Sequence, residues 1–361
     1  MKKMKVIVFL TEPASYAIDL IEKVYMPNNI EFKFLRSYSY SKPEIPETFN
    51  DNLFVNKLSI IRRYKSIKKD YLENDVILFS GYSSFSFIIL WLIHTFSNVK
   101  KPICIISDTP LKIPTNFIKL FIKKMYLNYL FKNIYVNGFA GGTSSHKELF
   151  RYYGMSSDRI HFLPMVVDVN QFNFHPLRKR SEVFSFLYVG RFIKLKQIEL
   201  IINEFLLKFE DNNSVQLILI GDGKIHMNLK KIYSVHKNIL FKGRLTSIEL
   251  KNEFKLSHVF VMASNNENWG LVINEAMSSS LAILSNKGIG ANYDLIINKQ
   301  TGLIFDSTIK GDLSNNMYTL YKNKEQYQFL SKNAYNLMHK YWNFNLYTKQ
   351  LILSLSKILK H

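Results

Sequence analysis

Two carboxylates, Glu267 and Glu275, stand eight positions apart in the stretch ENWGLVINE. The run before them, HVFVMAS (His258 to Ser264), is apolar and β-branched and ends in a small polar residue, as a buried strand does. Within and after the stretch, Leu271, Val272, Ala276 and Met277 recur at helical spacing. The unit therefore reads as strand, polar loop, helix. Backbone N–H groups of Asn268, Trp269, Gly270 and Leu271 fall at the helix start, where orphan donors and the positive end of the helix dipole suit an anion. Gly270 permits close approach of a ligand to the backbone. An ionised carboxylate only accepts hydrogen bonds, so Glu267 and Glu275 suit the hydroxyls of a sugar or ribose. The implied ligand is an anion that also carries hydroxyls. Two glutamates at this spacing are more often just an exposed loop and helix, so the context decides.

That context is a repeated alternation. KVIVFL reads as a first strand, followed by the loop TEPAS and a helix from about Tyr16. Strands are predicted at 30–36, 75–81, 102–110 and 159–167, with helices at 52–72, 84–97 and 115–132. Ser144 or Ser145 can cap the helix before Gly154. Residues 168–183 lack periodicity, contain Pro176 and a basic cluster, and read as a linker. The pattern then restarts with FSFLYVG, VQLILIGDG and NILFKGRL, the unit just described, and LAILSNKGIGANYDLI as strand, Gly-rich loop and helix. TGLIFD closes the sheet, and a last helix follows from about Lys340. Strand and helix in alternation imply doubly wound parallel sheets. The predicted division is 1–172, 173–340 and a C-terminal helix, 341–361, packing back on the first domain.

Length and composition fit this. At 361 residues two domains are the default, and 47% hydrophobic with 21% charged residues is a globular balance. The single cysteine, Cys104 in PICII, excludes an internal disulfide and reads as a core thiol. The run VIVFL is too short for a signal-peptide core, and Phe85 to Phe96 is too short for a membrane span. The net charge of +20 favours acidic partners. Lys112 to Lys132 (KIPTNFIKLFIKKMYLNYLFK) contains no acid and interleaves lysines with aromatic and aliphatic residues. It reads as a basic amphipathic helix for an anionic membrane surface, with a second basic run at 56–69. No nucleic-acid-binding motif is present, so no nucleic acid is expected as a partner.

Several further motifs, in order, resemble the donor-binding domain of the retaining family 4 glycosyltransferases, of the bacterial surface-polysaccharide type. LYVGRFIKLKQIELII (Leu187 to Ile202) resembles the family's V-G-R-x4-K-G segment, with Gln197 where Gly is common. LILIGDGK, FKGRL, ENWGLVINEAM and NKGIGANYDLIINKQTGLIF resemble its G-D-G strand, F-x-G turn, E-x7-E helix start and Gly-rich loop. The match spans roughly 184–306; the first half matches only in pattern, apart from MVVDVNQF (Met165 to Phe172).

The resemblance implies a GT-B fold: α/β, two Rossmann-like doubly wound parallel-sheet domains facing a cleft. It implies transfer of a sugar from a UDP- or GDP-linked donor to a glycan or lipid-linked acceptor, with retention and without a metal or other cofactor. Surface polysaccharide, lipopolysaccharide or capsule synthesis would be the setting, in the cytoplasm at the inner face of the cytoplasmic membrane. Arg191 and Lys196 would clamp the diphosphate, two cations offsetting its charge as the sugar leaves. Glu267 would face the donor sugar, Glu275 the ribose, and Gly243 would let the base stack on backbone; Gly190 and Arg244 belong to the same donor site. On the acceptor side Ser107 stands where many members have a catalytic-site His, Asp108 beside it can contact sugar or acceptor, and Glu12 is a weaker candidate. The alternative is a non-catalytic nucleotide-sugar or glycan-binding protein on the same fold.

Overall fold

The structure is a computed structural model and describes residues 4–39, 45–176 and 181–360. The basic cluster of the predicted linker, residues 177–180, lies outside the described residues. The chain divides into two compact units, Met1–Val166 with Phe344–His361, and Val167–Asn343.

The first unit is a parallel sheet of β1 (Val6–Leu10), β2 (Ile30–Phe34), β3 (Val76–Ser80), β4 (Ile103–Ser107), β5 (Val136–Ala140) and β6 (Ile160–Phe162), in the order β2-β1-β3-β4-β5-β6. Its flanking helices are α1 (Ser15–Leu20), α2 (Ile60–Glu73), α3 (Phe85–Phe96), α4 (Phe117–Lys132), α5 (Ser145–Tyr152) and the C-terminal helix Phe344–Ile358. The central strands are continuous apolar runs, β3 and β4 ending in Ser80 and Ser107, because both sheet faces are covered. Phe79 stacks on Phe9 and meets Phe87 of α3 edge-on, at centroid distances of 5.2 and 5.3 Å. Cys104 lies in this core, and burial pushes its thiol pKa up. His94 is buried against Tyr71, 3.1 Å from its hydroxyl, and burial lowers its pKa to about 4.

The second unit is a parallel sheet of β7 (Phe184–Val189), β8 (Val215–Ile220), β9 (Ile239–Gly243), β10 (Val259–Met262), β11 (Ala282–Asn286) and β12 (Leu303–Phe305), in the order β12-β11-β10-β7-β8-β9. Its helices are α6 (Ile198–Phe209), α7 (His226–Tyr233), α8 (Ser247–Leu256), α9 (Leu271–Ser278), α10 (Asp312–Lys322) and α11 (Lys324–Lys340). Thr246 and Glu249 form a reciprocal capping box at α8. Glu204 of α6 accepts from the backbone N–H groups of Gly311 and Ser314, each at 3.0 Å, so its carboxylate fills the N-terminus of α10.

Four local expectations need correction. The helix anticipated at 52–72 opens as two 3₁₀ turns, Asp51–Leu53 and Val55–Lys57, and becomes α-helical at Ile60. The strand anticipated at 159–167 spans only Ile160–Phe162, since Pro164 cannot donate to a ladder. Ser144 occupies the N-cap of α5 but makes no side-chain capping bond. After β11 the chain forms only a 3₁₀ turn, Gly290–Tyr293, in place of a helix. There the glycines serve close backbone contact with the neighbouring loop.

Candidate functional site

In the second sheet the order reverses between β7 and β10, and the C-terminal ends of these two strands bound the crevice where an open α/β sheet takes ligands. Gly190 follows β7. Its N–H donates to Ile220 at 3.0 Å, and the N–H of Gly221 donates to Gly243 at 2.7 Å. A Cβ on Gly221 would lie 1.9 Å from the carbonyl of Gly190, so the strand ends meet backbone to backbone. Gly243 has a φ of +64° and a Cβ there would meet nothing within 4 Å; its face is open. Arg191, next after Gly190, and Arg244, directly after β9, are exposed.

From Gly190 the chain runs through a 3₁₀ turn, Lys194–Lys196, and Gln197 in the left-handed region (φ +51°) starts α6. This turn directs Lys196 at the loop after β10, where its ammonium pairs directly with the Glu267 carboxylate. Only 11% of the Lys196 side chain and 22% of the Glu267 side chain are exposed. The N–H of Asn265 donates to Leu195 at 3.3 Å, fastening the same two loops. On the other side the Gly-rich loop abuts: Gly290 donates to the Glu267 carbonyl and Ala291 to that of Trp269, both at 3.1 Å. A Cβ on Gly290 would stand 1.7 Å from the Asn268 carbonyl.

Gly270, with φ +96°, is the N-cap of α9 and contributes no side-chain cap, leaving the first turn to backbone donors. Glu275 lies in the following turn of α9 and is half-buried. Trp269 carries a different function from its neighbours. Its side chain is 1% exposed, donates to Asn274 Oδ1 at 2.9 Å and stacks on Trp342 at 5.9 Å. The indole anchors the loop, so only the backbone of Trp269 can serve a ligand.

A polar network missed in the sequence supports the loop. Buried Asn286 at the end of β11 donates to the carbonyls of Ala263 and Ser264 and to Ser307 Oγ, at 3.3, 3.2 and 3.0 Å. Its Oδ1 accepts from the N–H of Ser307 at 3.2 Å, so one side chain ties together the ends of β10, β11 and β12. The signal available was an asparagine ending an apolar strand.

The first unit gathers Glu12, Ser107 and Asp108 around one cavity of about 430 Å³. It lies at the ends of β1, β3 and β4, and the order of that sheet reverses at β1 and β3. Tyr16, Tyr25, Tyr82 and Tyr347 also line it, none of them singled out from sequence. Tyr16 follows the TEPAS loop and was within reach of such reasoning; Tyr347 comes from the far end of the chain and was not. Burial and the neighbouring Asp108 and Glu12 raise the Tyr16 pKa, so its phenol stays protonated. The hydroxyls of Tyr25 and Tyr347 hydrogen-bond to each other. Ser107 Oγ accepts from the N–H of Thr109 at 3.2 Å, and Glu12 accepts from Ser39 Oγ at 3.2 Å. Among the described residues no group of three or more His, Cys, Asp or Glu is placed to hold a metal ion.

Residues 169–337, nearly the whole second unit, match the family model described as Glycosyl transferases group 1. The second unit resembles a group 1 glycosyltransferase domain over nearly its whole length. The chain is 30% identical over 158 residues to the sulfoquinovosyl transferase SQD2 of Arabidopsis thaliana, covering 43% of this chain and 30% of that protein. It is 26% identical over 196 residues to the D-inositol 3-phosphate glycosyltransferase of Pseudarthrobacter chlorophenolicus, covering 50% and 46%. The chain thus spans less than half the length of these curated relatives. Its structure is similar over 98% of this chain and 99% of the other to Anabaena Alr3699/HepE in complex with UDP-glucose, with a TM-score of 0.73 at 14% identity. The fold is GT-B, each unit a six-stranded parallel sheet with flanking helices.

Proposed function

We propose that the protein is a glycosyltransferase whose second unit binds a UDP- or GDP-sugar and whose first unit receives a glycan or lipid-linked acceptor. The observation that carries this is the Lys196–Glu267 pair at the β7/β10 switch point, leading into a helix N-terminus with Glu275 in the turn behind it. Lys196 and Arg191 neutralise the diphosphate, Glu267 meets the sugar hydroxyls and Glu275 the ribose. Gly243, with open space over its α-carbon, takes the base, flanked by Gly190 and Arg244. In the transfer, the acceptor oxygen bonds to the anomeric carbon as the bond from that carbon to the diphosphate oxygen breaks. The hydroxyl proton passes to the departing phosphate, from the same face, so configuration is retained. Asp108 positions the acceptor hydroxyl, with Ser107 and Glu12 beside it. No resident cofactor enters this scheme.

The membrane part of the reading rests on α3 and α4. Phe117, Ile118, Phe121, Ile122 and Met125 of α4 are exposed, as are Phe85, Ile88, Leu92 and Phe96 of α3. Trp91 and Tyr129 meet edge-on at 5.9 Å, which sets the two helices side by side. Apolar residues facing outward among lysines fit the interface of an anionic bilayer, at the inner face of a cytoplasmic membrane. Among the described residues no helix is long and apolar enough to cross a membrane. A surface-polysaccharide or lipopolysaccharide precursor anchored in that bilayer is the acceptor this arrangement suits.

Release of nucleoside diphosphate from UDP- and GDP-sugars, with and without candidate acceptors, tests the reading. Wild type should turn over one donor, and Arg191→Ala should lower kcat/KM about 10²- to 10³-fold, the effect of losing one preorganised transition-state charge partner. Donor binding without any turnover would favour a non-catalytic binding protein.

A further inference from the structure

Three phenols meet in the wall of the first unit's cavity. Tyr25 and Tyr347 are joined by a hydrogen bond between their hydroxyls, and Tyr16 lies within electrostatic reach of both. Tyr16 stands in the first turn of α1, which Ala17, Ile18 and Leu20 anchor in the core, so its ring is held beside the end of β1. Glu12 reaches it from the loop after β1 and Asp108 from the loop after β4. Burial and the charge of these two carboxylates keep the phenol protonated, and no hydrogen bond runs from it to either of them. The volume of about 430 Å³ is at the small end of ligand sites, suited to one sugar unit.

We propose that Tyr16 is a positioning residue of the acceptor site: its hydroxyl donates a hydrogen bond to one oxygen of the sugar unit held in this cavity. The proposal rests on the glycosyltransferase reading only in calling that sugar an acceptor. A sugar hydroxyl both donates and accepts, whereas an ionised carboxylate only accepts. Glu12 and Asp108 can therefore take hydroxyl protons of the sugar but cannot answer its lone pairs. Tyr16 supplies a donor for them from the same wall, beside both acids. A hydroxyl set between a carboxylate and a phenol proton has one favoured orientation, and the ring that carries it is fixed with it. Tyr25 and Tyr347 hold each other, so Tyr16 is the phenol of the three whose proton neither carboxylate nor neighbouring ring engages.

The test is ligand-observed NMR on the full chain without donor. The probes are the methyl glycosides of glucose, galactose, mannose and N-acetylglucosamine, and the monodeoxy analogues of whichever binds best. In wild type, removing the oxygen that Tyr16 contacts should weaken binding about two- to tenfold, the range of one neutral hydrogen bond. In Tyr16→Phe, with folding checked by its melting curve, that gap should close while the gaps of the other analogues persist. A merely structural role for the side chain would weaken the whole series together. Binding by none of the four glycosides, no deoxy gap that closes in the variant, or a uniform loss across the series overturns the proposal. Because the donor is absent, failure of the donor site would leave this pattern intact and is read separately from nucleotide release.

Discussion

At the scale of single residues, the site depends on where a side chain is forbidden as much as on where one is charged. Gly290 and Gly243 illustrate the two cases. A Cβ on Gly290 collides with the Asn268 carbonyl at 1.7 Å, whereas Gly243 has only its positive φ to satisfy. Gly290→Ala should therefore destabilise the protein by about 1–3 kcal/mol or more, as overpacking does. Gly243→Ala should cost only about 1 kcal/mol, the left-handed penalty. Urea denaturation measures both, and equal midpoints for the two variants would contradict the close contact of the Gly-rich loop. Glu267, Glu275, Gly270 and Lys196 were legible in the sequence because they fall in one local strand-loop-helix unit and one glycine-arginine loop. The partnership of Lys196 with Glu267 was not, since it joins positions 71 residues apart. The role of the Trp269 side chain was not legible either: it bonds Asn274 within the motif but stacks on Trp342, 73 residues away.

At the scale of elements, α4 is the helix that the sequence marks as basic and amphipathic. Only Leu127, Leu130 and Phe131 of α4 are buried, and Phe117, Ile118, Phe121, Ile122 and Met125 are exposed. Phe117 is 77% exposed and Phe121 55% exposed, and on the proposed function this is the surface that meets the bilayer. Co-sedimentation with vesicles containing anionic lipid should fall about tenfold in a Phe117→Asp, Phe121→Asp double variant that keeps its melting temperature. Unchanged sedimentation would remove the membrane role from α4. The strands were legible because fully buried parallel strands are continuous apolar runs. The helix α7 was not, for GKIHMNLKKIY is short and buries only Leu229. The 3₁₀ turn at Gly290–Tyr293 was read as a helix because Asn292, Leu295 and Ile296 mimic helical spacing, although Asn292 is held by Ser285 and by the Asn286 carbonyl.

At the scale of the whole molecule, the two units share one plan: a six-stranded parallel sheet with its polar loops at the C-terminal strand ends. The plan was legible in the alternation of strand and helix. The first unit's cavity was not, because its walls are drawn from residues as far apart as Leu10 and Tyr347. On the proposed function, the motif-bearing unit holds the nucleotide sugar and the cavity-bearing unit the acceptor. Thermal unfolding against a panel of UDP- and GDP-sugars, for wild type and Glu275→Gln, tests that claim most directly. A ligand at about 100 times its Kd stabilises the folded state by about 2.7 kcal/mol. In a chain of 361 residues that is a rise in Tm of about 4 °C. The account predicts such a rise with one nucleotide sugar in wild type and little or none in Glu275→Gln. No rise with any of them, or an equal rise in the variant, would contradict it.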